Sequence, residues 1–127
     1  MRAVQVAQHA DDLARATAFY TQLLGGGPVA VFDPPGLVFF ELGGMRLLLM
    51  RGAPPALHYY LVEDIAGVVE RMRAAGVTVE AEPHVIFVHS DGRLGPAGTE
   101  EVQAFLRDSE GNLVGLVEHR LPVGSQG

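Results

Sequence analysis

The chain has 127 residues, 48% of them hydrophobic, a formal charge of −6 and a pI near 5.2, enough apolar surface for one buried core without covalent staples. It has no cysteine, and its nine basic residues are all arginine, which excludes disulfides, thiolate ligands, cysteine nucleophiles and lysine Schiff bases. The arginines form no run and no segment approaches the ~20 apolar residues that span a bilayer, so neither nucleic acid nor membrane is an expected partner and a soluble, cytoplasmic protein is expected.

A short strand is expected over 3–8, followed by Asp11-Asp12 and a helical pattern with Leu13, Ala16, Tyr20, Leu23 and Leu24 on one face. Either aspartate can cap the helix, and Gly25-Gly26-Gly27-Pro28 stops it. The glycines follow a helix and do not open one, so they do not form a phosphate loop. Three strands then read at 29–32, 37–42 and 45–50, the last two joined by Gly43-Gly44. Within the third, Leu47-Leu48-Leu49-Met50, between Arg46 and Arg51, reads as a strand buried on both faces.

After Pro54-Pro55 the same order begins again. A strand over 57–62 leads through Asp64 into a helix with Ile65, Val68, Val69, Met72 and Ala75 on its inner face, stopping at Gly76. Strands follow at 77–79 and, brokenly, through 84–88, then at 102–107 and 112–118, the last two joined by Asp108-Ser109-Glu110-Gly111. Aligning Gln5 with His58 gives an offset of 53 and Leu13 with Ile65 one of 52, so a single residue of slippage is placed at the strand-to-helix turn. The fold class is therefore α+β: two tandem βαβββ modules, 1–53 and 54–120, in one domain, with a loose tail at 121–127.

The three serines, Ser90, Ser109 and Ser125, fall in turns or the tail, none in a nucleophile-elbow setting. Residues 90–99, with Gly92, Gly95, Pro96 and Gly98, form the longest irregular stretch, suited to a lid, and Arg93 there offers a cation to an anionic ligand.

Asp12-Leu13-Ala14-Arg15-Ala16 through Leu24-Gly25, Val62-Glu63-Asp64-Ile65 through Gly76-Val77, and Phe105-Leu106-Arg107-Asp108-Ser109-Glu110-Gly111-Asn112 together resemble the vicinal oxygen chelate superfamily. It includes glyoxalase I, extradiol dioxygenases and the bleomycin-resistance proteins. Ser109 and Glu110 depart from its usual hairpin. The resemblance spans nearly the whole chain and implies a curved, half-open barrel of eight strands with two main helices, a concave side that holds metal or ligand, and a homodimer.

The resemblance also implies one metal ligand on the first and one on the last strand of each module. Gln5 and His58 fall at the first-strand positions. The other two fall on Leu48 (or Leu47) and Gly115, which carry no donor atom, and Glu118, three residues on from Gly115, points to the opposite face. Two neutral ligands would leave an ion uncompensated in a partly buried cavity. Glu41, His84, His89, Glu100 and Glu101 are relocated candidates in or beside the strands, although His84 and His89, five apart, face opposite sides unless a bulge intervenes.

Two functions remain open. One is binding or sequestration of a small organic molecule, or metal-independent chemistry, in a pocket lined by Gln5, His58, Tyr60, Phe39, Glu41, Phe105 and Arg93. The other is a divalent-metal lyase, isomerase or dioxygenase of the glyoxalase type, using Ni²⁺, Zn²⁺, Mn²⁺ or Fe²⁺ on Gln5 and His58 with help from Glu41 or His84. No residue is assigned a catalytic role.

Overall fold

The computed structural model describes residues 1–122; the expected loose tail lies outside the described residues beyond Pro122. The described residues form two compact units, 1–57 with 108–112, and 58–107 with 113–122. Each carries one βαβββ module, so the α+β class and the repeat are borne out.

In the first unit β1 (Gln5–His9) feeds α1 (Leu13–Leu24), followed by β2 (Ala30–Phe32), β3 (Leu37–Glu41) and β4 (Arg46–Met50). Asp12 is the cap: its Oδ1 accepts from the Arg15 amide at 3.0 Å, satisfying a donor the helix cannot. Gly25 ends the helix at φ 82°, a left-handed conformation that glycine adopts without strain.

The strand order is β1-β4-β3-β2, with β1 parallel to β4 and the other pairs antiparallel. Tyr20 on α1 meets Phe40 at 6.4 Å between ring centroids, which fixes the helix side of the sheet. Phe40, Leu47 and Leu49 are buried there, each contributing about 1.5–3 kcal/mol by leaving water. The far side carries Gln5, Phe39, Glu41, Arg46 and Leu48. Leu47, Leu48 and Leu49 are buried, as the unbroken apolar run predicted, while Met50 at the strand's end is only half-buried.

Residues 108–112 close this unit. Asp108 accepts from the Tyr20 hydroxyl at 2.6 Å and from the Glu110 and Asn112 amides, while Asn112 donates to the His9 carbonyl. Glu110, one of the two departures from the family hairpin, accepts from both Arg15 and the Asp12 amide.

In the second unit β5 (His58–Leu61) feeds α2 (Ile65–Ala74), followed by β6 (Val79–Val88), β7 (Glu100–Arg107) and β8 (Leu113–Arg120), in the order β5-β8-β7-β6. Again the first strand is parallel to the last. Asp64 caps α2 by accepting from the Gly67 amide, and Glu118 accepts from the Ile65 amide at 2.8 Å.

Four elements differ from expectation, and the first is β1, which starts two residues later than the strand read over 3–8. β6 is one strand through Pro83, a residue an edge strand tolerates because its outer amides need no partner, and it carries three register shifts. β7 starts two residues earlier and β8 ends two residues later than the apolar runs suggested, because Glu100, Glu101, His119 and Arg120 pair in the ladder despite their polarity.

Candidate functional site

The second sheet has two chemically different faces. Val102, Ala104, Leu106, Val114 and Leu116 are fully buried on one, together with Ile65, Val69 and Met72 of α2. Cross-strand partners share a face, so the ladder puts Glu101, Gln103 and Phe105 with His119, Val117 and Gly115 on the other. Tyr59 and Leu61 of β5 stand opposite Gly115 and Val117 and belong to this second face as well.

This assignment corrects the reading of His58 and Tyr60. They pair with Val114 and Leu116 and so lie on the α2 side. The His58 Nδ1 is buried with no hydrogen-bond partner among the described residues, and burial pushes its pKa down. The physical reason is parity. An offset of 53 aligns the starts of β1 and β5 but is odd, and an odd offset in a strand exchanges its faces. The even offset of the helices, 52, is the one that preserves facing and matches Ala7 to Tyr59.

The other expected residues fall as follows. Gln5, Phe39 and Glu41 share the far side of the first sheet. There the Arg46 guanidinium donates to Gln5 Oε1 at 2.8 Å and lies 5.6 Å from the centroid of the Phe39 ring, while Glu41 accepts from the Gly44 amide. Phe105 is on the far face of the second sheet, its ring 5.8 Å from that of Tyr59. His84 is exposed, its Nδ1 2.8 Å from the Glu82 carbonyl oxygen. Arg93 is turned onto Asp91 at 2.9 Å.

Of the four family metal positions, Leu48 and Gly115 carry no donor and Gln5 is engaged by Arg46; the fourth, read as His58, moves with the even offset to Leu57, which carries no donor either, while His58 lies on the helix side of its sheet. A Cβ on Gly115 would lie 2.5 Å from Tyr59 Cδ2, so the tyrosine ring occupies the place of any longer side chain there. This residue set does not fit an ion.

A different set on the far face of the second sheet does converge. The Nε2 of His89 lies 3.1 Å and that of His119 3.3 Å from the same oxygen, Glu101 Oε1. Candidate donor atoms of all three lie within 4.8 Å of one another. His89 and Glu101 are buried and His119 is half-buried. Burial works against the charge on Glu101, but hydrogen bonds from Gln103, His119 and His89 hold its carboxyl below the ordinary carboxylate range. Gln103 takes the second oxygen, Oε2, at 2.7 Å.

Three strands, β6, β7 and β8, bring these groups together. Glu101 and His119 are direct ladder partners. His89 follows the last bulge of β6, the very irregularity needed to re-aim it, and is tied across the loop by its amide to the Thr99 carbonyl and by its carbonyl to the Gly98 amide. Beside the cluster lie two hollows of about 410 Å³ each. One is lined by Tyr59, Leu61, Leu94, Glu101, Gln103, Val117 and His119; the other includes Phe87, His89, Arg93 and Leu94. Leu94 borders both.

His119 was missed in the sequence, although a signal existed. It is four residues from Gly115, so the alternation that removes Glu118 from that face places His119 on it.

Among the described residues no helix is long and apolar enough to cross a membrane. Residues 2–116 match the family model described as Glyoxalase/Bleomycin resistance protein/Dioxygenase superfamily. No curated protein matches the chain. Among solved structures it is similar to lactoylglutathione lyase from Agrobacterium tumefaciens, with 27% identity, 92% of each chain covered and a TM-score of 0.67. It is also similar to a glyoxalase/bleomycin resistance protein from Albidiferax ferrireducens T118, with 22% identity, 91% of this chain and 97% of that one covered, and a TM-score of 0.64. A glyoxalase-related enzyme from Fulvimarina pelagi is 17% identical, with 93% and 88% covered and a TM-score of 0.67. With the paired βαβββ modules and a family match over nearly its whole length, the chain belongs to the Glyoxalase/Bleomycin resistance protein/Dioxygenase superfamily.

Proposed function

We propose that the chain binds a small organic molecule on the far face of its second sheet, without an ion at the family positions. The observation that carries this is the hollow of about 410 Å³ whose wall combines Tyr59, Leu61, Leu94 and Val117 with the polar groups of Glu101, Gln103 and His119. An apolar wall with a few convergent polar atoms is the usual lining of a ligand site. Tyr59 and Leu61 are strongly exposed for such residues, at 52% and 69%, and a bound aromatic compound would cover them.

The test is a two-dimensional amide spectrum of the protein titrated with a panel of small phenols, catechols and aromatic carboxylates. Shift changes are expected at Tyr59, Leu61, Leu94 and Val117, and to be lost in Leu61→Asp. Changes clustered at Gln5, Phe39 and Glu41 instead, or none with any compound, would refute the reading.

The second reading, a divalent-metal lyase, isomerase or dioxygenase, draws support from the likeness to the lactoylglutathione lyase and needs donors away from the family positions. For a partner, a second copy is favoured by β6. It is a sheet edge on which Val85, Ile86, Phe87 and Val88 are each at least 36% exposed, and an open edge with apolar side chains pairs readily with another chain.

A further inference from the structure

We infer that His89, Glu101 and His119 bind one divalent transition-metal ion through the two Nε2 atoms and Glu101 Oε1, leaving open coordination positions beside the ligand hollow. Three observations meet here. The first is spacing. Two ligands each about 2.1 Å from a common ion lie about 3.0 Å apart at a right angle and about 3.4 Å apart at the tetrahedral angle. The two N···O separations, 3.1 and 3.3 Å, fall between these limits.

The second is charge and orientation. Glu101 supplies the anionic oxygen that Gln5 and His58 lacked, and Gln103 holds its other oxygen, so Oε1 is aimed and free to coordinate. Without an ion both imidazoles donate Nε2–H to that oxygen. An ion takes the place of those protons, and each imidazole then offers its Nε2 lone pair.

The third is room. A Cβ on Gly95 would lie 2.9 Å from His89 Nε2 and 3.0 Å from His119 Nε2. Gly95 is not among the positive-φ glycines, so its backbone does not call for glycine. What the missing side chain leaves is space in front of both nitrogens.

Two imidazoles and one carboxylate suit a borderline ion such as Zn²⁺, Fe²⁺, Co²⁺ or Ni²⁺, and three protein ligands leave positions for water or a substrate oxygen. Such an ion would polarise an oxygen of a molecule held against Tyr59, Leu61 and Leu94. The inference shares its face with the binding reading above, but its test contains no organic compound, so failure of one is distinguishable from failure of the other.

The test strips the full-length protein with a chelator and titrates it with Zn²⁺ by calorimetry and with Co²⁺ by visible absorption. One ion per chain is expected, with Co²⁺ bands typical of nitrogen and oxygen ligation. His119→Ala, Glu101→Gln and Gly95→Ala should each weaken binding at least about tenfold, with the far-UV circular dichroism of the parent. Because His119 is half-buried and Gly95 lies in a loop, at least one of these variants retains the fold. His84→Ala and His58→Ala should bind like the parent. No stoichiometric uptake of Zn²⁺ or Co²⁺ by the folded parent, or uptake unchanged in His119→Ala and Gly95→Ala, would overturn the inference.

Discussion

Tyr59 and Gly115 are ladder partners on β5 and β8, and the ring of the first lies where a side chain on the second would go. Gly115→Glu, which would restore a carboxylate at the family position, is therefore expected to destabilise the protein by about 1–3 kcal/mol through overpacking. Adding Tyr59→Ala should recover part of that loss. Chemical denaturation of the two single variants and the double variant reads the coupling directly; additive effects would show that the ring yields freely.

His58 makes an acid-sensitive contribution of its own. Burial lowers its pKa from the ordinary 6.5, so the folded chain binds fewer protons than the unfolded one near that pH. Its neutral form is favoured, and stability falls as pH drops from about 6.5 toward the folded value. His58→Leu removes both this loss and the partnerless Nδ1, and replacing such a buried polar atom by an apolar group is close to neutral or stabilising. The variant's melting temperature should change less than the parent's between pH 7 and pH 5.5, with ligand and metal binding intact.

A second acid transition lies lower. The Arg15 guanidinium, 2.7 Å away, holds the Glu110 carboxyl at about 2, against an ordinary 4.5. A depressed carboxylate stabilises the fold above its unfolded pKa and loses that contribution as pH falls between about 4.5 and about 2. Arg15 is half exposed, so screening reduces the effect to about 1–2 kcal/mol. Glu110→Gln should lower stability at pH 7 and leave a flatter profile below pH 4.5; an unchanged profile would contradict this.

The apolar edge of β6 gives a prediction about assembly. Ile86→Lys puts a charge in the middle of an exposed edge, a device that blocks strand pairing. Sedimentation velocity should show a dimer for the parent and a monomer for the variant, with unchanged circular dichroism. A monomeric parent would remove the second copy as partner.

The fold was legible because its signals are local. Asp12 and Asp64 cap, Gly25 and Gly76 stop, and most of each helix stripe is buried as read, although Phe19 joins the first and Ala75, predicted inside, is exposed. The site was not legible, for three separate reasons. His58-Tyr59-Tyr60-Leu61 carries no polar/apolar alternation, so nothing in it says which residues face α2, and the odd offset chose the wrong pair. The ends of β7 and β8 are polar, so Glu101, although named as a candidate ligand, falls beside its strand without a facing, and His119 lies unnoticed beyond the apolar run. The aim of His89 depends on a bulge and on loop hydrogen bonds that have no sequence signature in one chain.

The chain has five histidines, His9, His58, His84, His89 and His119, and long-range ¹H–¹⁵N spectra resolve the ring nitrogens of each. The most direct measurement is to record them for the chelator-stripped protein before and after one equivalent of Zn²⁺. Large Nε2 shifts confined to His89 and His119 are predicted. A shift of His58, with His89 and His119 unmoved, would move the metal off the proposed cluster and contradict the account.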